Sequence, residues 1–231
     1  MPPHPQPSGD PRFVHTAAWL VGAGAAGIAL TSFCYVMAGP MAALPAGGTT
    51  VEASRAATAS AAHWMLAAGR IGPPGDLLAA VGAVMIAATK RGHGAGLAAA
   101  GWLGLALAGA LFVIVDAMVG HVLPPMAALP NGEAAYAGMR ALFDALFAVG
   151  TWAAGAGALA SSWQPNWPEY RWKTVLWMMR AAGVACLAGS TAWLLRLPGS
   201  ELMGLGIALS SVALVAAAVA LHSAPGAIDT R

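Results

Sequence analysis

The chain has 231 residues, of which 58% are hydrophobic and 9% are charged, and its mean hydropathy is +0.68. These charged side chains are too few to cover the surface of a water-soluble protein. The net charge of +2 comes from scattered basic residues, without the runs of Lys and Arg and interleaved aromatics typical of nucleic-acid binding. The composition therefore predicts an all-α polytopic membrane protein whose main contact is the lipid bilayer, and it excludes nucleic acid as a partner.

The apolar residues fall into six long stretches, which predict a single bundle of about six transmembrane helices. Crossing a bilayer takes roughly 20 apolar residues in a helix, so the chain has no room for a separate soluble domain. Residues 1–15 are rich in Pro and polar residues and are predicted to form a disordered tail, residues 16–222 the bundle, and residues 223–231 a C-terminal tail. The predicted spans are 16–38, a second span ending near residue 89, 96–122, 136–162, 174–195 and 201–222, the last two as antiparallel neighbours.

The second span is the least regular part of the pattern. Residues 51–70 have the composition of a helix, but Gly72-Pro73-Pro74-Gly75 follows, and proline removes a backbone donor and disfavours a helical conformation in the residue before it. One interpretation, which the helix-start chemistry of Pro-Gly-Asp favours, is an interfacial helix over 51–70 and a span that opens at Asp76. The other is a single bent span that enters the membrane near His63.

Basic residues determine the predicted orientation. With six crossings both termini lie on one side, and the positive-inside rule then predicts cytoplasmic termini in a bacterial-type inner membrane. The basic residues on the predicted cytoplasmic side are Arg12, Lys90, Arg91, Arg171, Lys173 and Arg231, and those on the other side are Arg55, Arg140 and Arg196. Aromatic and basic residues from Trp163 to Trp177 are typical of an aromatic belt at the cytoplasmic interface, toward which Arg180 is expected to snorkel.

Polar side chains inside the predicted spans carry the functional question. A lone carboxylate in the middle of a membrane helix costs about 2.5 to 3.5 kcal/mol on insertion scales, so it is expected to face a partner, a cavity or water. Asp116 follows five apolar residues and lies about two turns before Pro124, deeper than an interfacial residue needs to be. The candidate site residues in the predicted non-cytoplasmic half of spans two to four are Asp116, Arg70, Arg140, Asp144, Asp76 and His121.

These residues also have structural interpretations. Arg140 and Asp144 are four residues apart on one helix, so a local ion pair is the expected contact. Arg70 and Asp116 can pair between neighbouring spans, either as a brace that cancels the burial cost of both or as part of an ion or proton site. Asp76 and Asp144 are nearer to predicted span ends and can be interfacial.

Two histidines suggest a cofactor as an alternative. His63 and His121 are predicted at one membrane face on helices adjacent in sequence, where two imidazoles can hold a b-type haem or a metal. A histidine at the end of a span is more commonly an interfacial hydrogen-bonding residue, so no cofactor is predicted and haem b is kept as the alternative.

Enzyme motifs are missing or lie in the wrong context. Gly22, Gly24 and Gly27 match the dinucleotide-binding fingerprint, but they lie in an apolar helix with no preceding strand, which predicts helix packing instead. No GxSxG or HExxH occurs, and no lysine lies mid-span for a retinal Schiff base. The sequence therefore predicts no catalytic residues and favours a protein that is not an enzyme.

The leading hypothesis is a small transporter or transport-associated subunit with a polar cavity open to the non-cytoplasmic side for a small solute, an ion or protons. In this hypothesis Asp116 titrates or pairs with a cation, and Arg70 and Arg140 are its charge partners. His121 and His63 modulate the titration of Asp116 from the mouth of the cavity. The alternatives are a membrane electron-transfer subunit that binds b-type haem or quinone, and a non-catalytic structural or assembly protein. A homo-oligomer or a membrane-complex partner is compatible with each hypothesis.

Overall fold

Helices account for most of the described chain. The computed structural model describes residues 11–45, 49–90, 95–163 and 170–223. In chain order the helices of these segments are α1 (Pro11–Ala38), α2 (Pro40–Ala43), α3 (Val51–Ser60), α4 (Ala62–Thr89), α5 (Ala95–His121), α6 (Leu123–Ala128), α7 (Glu133–Ser161), α8 (Tyr170–Leu194) and α9 (Leu202–Ser223).

Six helices cross the membrane, as the sequence predicts. The candidate spans have 22 to 34 residues and mean hydropathies of 1.3 to 2.3, so each is long and apolar enough to cross a bilayer. Large apolar side chains on the outside, such as Trp19 and Val36, are 68% and 74% exposed, which fits contact with lipid. The chain is therefore a multi-pass integral membrane protein with an all-helical described core. Its orientation relative to the cytoplasm stays a prediction.

The helix bounds agree with the predicted spans to within about one turn in most cases. Apart from the second span, the largest differences are at two N-terminal ends, where α1 begins at Pro11 rather than residue 16 and α8 begins at Tyr170 rather than residue 174. The predicted tails lie mainly outside the described residues, since α9 ends at Ser223 and residues 1–10 and 224–231 are not described.

The six spanning helices form a closed ring. Each packs against its neighbour along the chain, and α9 packs against α1, so the order around the ring is α1, α4, α5, α7, α8 and α9. Neighbours run antiparallel and approach closely at glycines: a Cβ atom on Gly27 would lie 2.9 Å from the Cα of Gly75, and one on Gly157 would lie 2.7 Å from the backbone nitrogen of Leu105. We call the end of the ring where α1 begins the near end and the end where α1 finishes the far end.

The three short helices α2, α3 and α6 lie together at the far end and form what we call the far-end cap. The hydroxyl of Tyr136 on α7 is 2.9 Å from the hydroxyl of Ser54 and 2.7 Å from that of Thr58. Arg55 donates from Nε to the carbonyl of Ala127 at 2.9 Å and also to the carbonyl of Leu129. Because these bonds join α3 to α6 and α7, the cap is held to the ring by polar contacts.

Helix α4 corrects the favoured interpretation of the second span. It runs unbroken from Ala62 to Thr89 with two prolines inside, so the span begins near His63, and α3 ends at Ser60 rather than residue 70. Pro73 and Pro74 donate no helical hydrogen bonds, but neighbouring helices hold this stretch closely, because Gly72 packs on α5 and Gly75 packs on α1. Asp76 consequently lies in the middle of a span and not at its opening.

Candidate functional site

Asp76, Asp116 and Tyr35 meet where α4, α5 and α1 adjoin. Their residues are 1%, 4% and 8% exposed. The Tyr35 hydroxyl donates a hydrogen bond to Oδ1 of Asp116, and the carboxyl groups of Asp76 and Asp116 lie next to each other. We call Asp76 and Asp116 the carboxyl pair. An ionised carboxylate only accepts hydrogen bonds, so a hydrogen bond between the two groups would need one proton in the pair.

Glycines bring the carboxyl pair together. Any Cβ atom at Gly72 would overlap the carboxyl group of Asp116, so α4 leaves this space for a side chain of α5. One helical turn further along, a Cβ atom at Gly109 would lie 2.9 Å from the backbone carbonyl of Asp76. The small residues at 72 and 109 therefore allow the approach of α4 and α5 that places two acids in contact.

The carboxyl pair lines a cavity of about 370 Å³ inside the ring. Residues of α1, α4, α5, α7 and α9 form its wall, which is mainly apolar, with Leu105, Phe112 and Phe147 among its members. The sequence predicted a polar cavity. The difference arises because the basic residues expected to line it lie elsewhere.

Two buried polar atoms that belong to residues of this wall lack partners. Oδ2 of Asp76 and Nε1 of Trp102 are buried and have no hydrogen-bond partner among the described residues. By contrast, the hydroxyls of Thr31 and Ser211, which also line the cavity, donate to carbonyls of their own helices. An unsatisfied buried polar group costs about 1 to 3 kcal/mol, so these two atoms lower the stability of the fold.

Arg140 is occupied at the far-end cap. Its Nη1 donates to the carbonyls of Met41 and Ala42 at 2.9 and 2.8 Å, and Nη2 donates to the carbonyl of Leu44. Its Nε donates to Oδ1 of Asp144 at 2.9 Å, which confirms the predicted local ion pair. The last carbonyls of a helix have no partner in that helix, and here a guanidinium from α7 satisfies those at the end of α2. The structure therefore does not bring Arg140 to Asp116 as a charge partner.

The expected pairing of Arg70 with Asp116 is wrong. Asp116 has Tyr35 and Asp76 as its partners, while Arg70 is exposed on the outer surface of the ring. The reason is the helix face: residues 69, 72 and 76 of α4 face α5, and residue 70 is rotated about 100° from residue 69.

The two histidines of the cofactor hypothesis lie near the far end, where both residues are exposed. His63 lies in the first turn of α4 and packs on Trp64, with ring centroids 5.3 Å apart, and His121 ends α5. In the described part of the chain, no three or more His, Cys, Asp or Glu side chains are grouped so that they could hold a metal ion. The haem alternative stays an untested prediction.

No known family matches. Comparisons with protein-family models, with curated proteins and with solved structures each found nothing similar to this chain.

At the near end, Arg180 contacts the end of α7 and two tryptophans, and its predicted snorkelling to the cytoplasmic interface stays a prediction. Its Nε donates to the Ser162 hydroxyl at 3.3 Å, and its guanidinium carbon is 5.3 Å from the ring centroids of both Trp163 and Trp177. Trp172 is only 2% exposed, so it belongs to the protein core and not to an aromatic belt. The middle of the predicted belt, residues 164–169, falls outside the described residues.

Sequence reasoning missed Tyr35 and Trp102. Tyr35 was part of an apolar span with nothing to distinguish it, although a tyrosine inside a span needs a partner for its hydroxyl. Trp102 is seven residues into α5 and was an ordinary apolar residue of that stretch. Only the ring arrangement brings both to the cavity that holds the carboxyl pair.

Proposed function

We propose that the protein is a carrier that moves a small solute across its membrane in exchange for a proton held at the carboxyl pair. The single observation behind this proposal is the contact between two buried acids, Asp76 and Asp116, on the wall of a cavity formed by spanning helices. A cavity of about 370 Å³ is at the lower end of the range for small-molecule sites, so the solute is small.

Structural stability alone does not account for this pair. One buried acid is expensive in a membrane helix, and a stabilising brace would oppose it with a basic side chain. Here Asp116 faces a second acid, Asp76, and a tyrosine hydroxyl from Tyr35. Buried acids kept in contact despite this cost are typical of functional sites, including proton pathways of membrane transporters.

The proposed exchange conserves charge at the site. With the cavity empty, the pair holds one proton and carries one negative charge. When a cationic solute binds, that proton leaves, so the two carboxylates then face the bound cation. Tyr35 hydrogen-bonds Asp116, so a change in the protonation of the carboxyl pair alters contacts among α1, α4 and α5. Solute binding and proton binding can then favour different arrangements of these helices.

The test measures protons in vesicles that contain the purified protein. Proteoliposomes loaded with pyranine report internal pH while small primary amines, carboxylic acids or sugars are added outside, and empty liposomes correct for passive permeation. We expect one class to drive a proton movement that exceeds this background. Asp116→Asn and Asp76→Asn should abolish it, because the one remaining carboxylate carries a single negative charge without a proton and has none to release when a cation binds.

The matched control is Glu133→Gln, which removes an exposed acid in the first turn of α7, away from the cavity. It should retain the full proton movement, and equal thermal midpoints in detergent should show that the aspartate variants are folded. If no solute class moves protons in the wild-type vesicles, transport by exchange is rejected. Undiminished movement in both Asp variants would remove the carboxyl pair from the mechanism.

A further inference from the structure

We infer that the near end of the ring binds one divalent transition-metal ion between two histidines, His15 of α1 and His222 of α9. The Nδ1 atoms of the two imidazoles are 3.0 Å apart, and the pair is exposed. His15 lies in the second turn of α1 and His222 in the last turn of α9, and neither residue lines the cavity. This metal site is therefore separate from the carboxyl pair and goes beyond the proposed function.

The geometry of the two rings suits two ligands of one ion. Two metal–imidazole bonds of about 2.1 Å at a right angle separate the two nitrogens by about 3.0 Å. That is the distance between the Nδ1 atoms of His15 and His222. The ring centroids are 4.7 Å apart and the ring planes meet at 84°. In a straight N–H···N hydrogen bond of the same length the centroids would be more than about 5 Å apart, so these rings meet at an angle and not end to end.

The helices that carry the two histidines hold them close together. Seven residues after His15, Gly22 packs on α9, where an added Cβ atom would lie 3.1 Å from the Cβ of Ala218. Trp19, one turn after His15, packs edge-on against the ring of His222, with centroids 6.1 Å apart. Because these contacts bring the two imidazoles together before any ion arrives, binding costs little ordering of the ligands.

The ligand atoms select the class of ion. Imidazole nitrogen suits Ni²⁺, Cu²⁺ and Zn²⁺, whereas Mg²⁺ and Ca²⁺ prefer oxygen ligands. Over the ranges that the structure describes, no third His, Cys, Asp or Glu completes a larger cluster, so water supplies the other ligands and the ion exchanges with solution. Arg12, one turn before His15, is exposed, so water and salt screen the repulsion between its charge and the ion.

A bound ion would join the two helices that close the ring. The contact between α1 and α9 completes the order around the bundle, and the two histidines lie at its near end. An ion that binds this arrangement, and not the separated helices, stabilises it by mass action. The site is therefore a place where a transition metal can hold the near end of the ring closed.

The test uses tag-free, full-length protein in detergent and metal chlorides as the only added ligands. With one equivalent of CuCl₂, electron paramagnetic resonance should show hyperfine splitting from two nitrogen ligands. With NiCl₂ about 100-fold above its dissociation constant, measured by calorimetry, the midpoint of thermal unfolding should rise by about 5 °C.

The variants remove one imidazole at a time. His15→Ala and His222→Ala should each weaken Ni²⁺ binding at least about tenfold, remove the rise in midpoint, and remove the two-nitrogen signal of Cu²⁺. The matched controls are His63→Ala and His121→Ala, which remove exposed histidines near the far end and should leave all three measurements unchanged. Midpoints without metal equal to that of the wild type would show that each variant is folded.

The inference is overturned if His15→Ala and His222→Ala bind Ni²⁺ as tightly as the wild type, if Cu²⁺ has one nitrogen ligand or none, or if Ni²⁺ leaves the midpoint unchanged. The two imidazoles would then only contact each other. These outcomes are independent of proton movement in proteoliposomes, because the histidines do not line the cavity. Loss of the metal site would leave the carrier proposal standing, and loss of proton exchange would leave the metal site.

Discussion

Arg140 joins α7 to a segment about a hundred residues earlier in the chain, and it does so through hydrogen bonds to three carbonyls, those of Met41, Ala42 and Leu44. Only 8% of the residue is exposed, and its ion pair with Asp144 shares this partly buried setting. A charged donor that hydrogen-bonds several acceptors contributes more to the stability of the fold than an isolated surface ion pair does. The far-end cap should therefore depend on this side chain.

We predict that Arg140→Met lowers the free energy of unfolding by about 3 kcal/mol, because the carbonyls and the Asp144 carboxylate lose their donor. Arg140→Lys should be intermediate, since an ammonium group lacks the planar fork that reaches several acceptors at once. The measurement is the midpoint of unfolding in detergent. An unchanged midpoint for Arg140→Met would show that water or lipid replaces these bonds.

Residue identity alone could not assign the roles of Arg140 and Arg70. The sequence correctly predicted the i, i+4 pair of Arg140 with Asp144, because that contact depends only on helix geometry. The carbonyls at the end of α2 are a long-range partner that no local spacing reveals. The failed pairing of Arg70 with Asp116 has the same cause, since which face of α4 meets α5 is decided by glycine packing.

At the scale of the element, α4 and α5 are held together by glycines at the same level. A Cβ atom on Gly120 would lie 2.5 Å from the Cα of Gly69. The obstacle is backbone, so no side-chain rotation can relieve it, and the helices would have to separate. The same interface carries Asp116 one turn away from Gly120.

We predict that Gly120→Ala destabilises the protein by about 1 to 3 kcal/mol through overpacking. Gly138→Ala is the matched control, because residue 138 is exposed on α7 with nothing within 4 Å of its added Cβ atom, and alanine is the better helix former. Thermal unfolding of both variants in detergent checks this. Equal midpoints would mean that α4 and α5 are not in close contact.

Hydropathy predicted the spanning helices well, because length and apolar content are what the bilayer requires. The span predicted at 96–122 is α5 at Ala95–His121. The helix break predicted at Pro73 and Pro74 is wrong. The cost of proline in a helix is local, whereas the contacts that keep α4 helical at these residues come from α1 and α5. This error also placed Asp76 at a span end and concealed the carboxyl pair.

At the scale of the molecule, the cavity exists because the ring closes. Predicted contacts between consecutive spans follow from short connections, but no pattern in the sequence pairs α1 with α9. Their contact extends along the helices: His15 and His222 are 3.0 Å apart at Nδ1 near one end, and a Cβ atom on Gly22 would lie 3.1 Å from the Cβ of Ala218. Without this contact the apolar wall of α9 would not face the carboxyl pair.

We predict that Gly22→Cys combined with Ala218→Cys forms an intramolecular disulfide on mild oxidation in membranes. The Cβ separation in disulfides is about 3.5 to 4.5 Å, so a shift of a few tenths of an ångström suffices. The native thiols, Cys34 and Cys186, are buried and would be replaced by alanine in the background. Mass spectrometry of proteolytic peptides identifies the linked pair, and a mixture of differently labelled copies distinguishes a bond within one chain from one between chains.

The control for this cross-link pairs Gly22→Cys with Val149→Cys, an exposed position on α7, which does not adjoin α1 in the ring. It should remain reduced under the same oxidant. If the Gly22 and Ala218 pair also stays reduced, or links only between chains, the ring is open in the membrane and a second copy completes the wall. The cavity would then be a property of an oligomer, and the carboxyl pair would face whatever closes it.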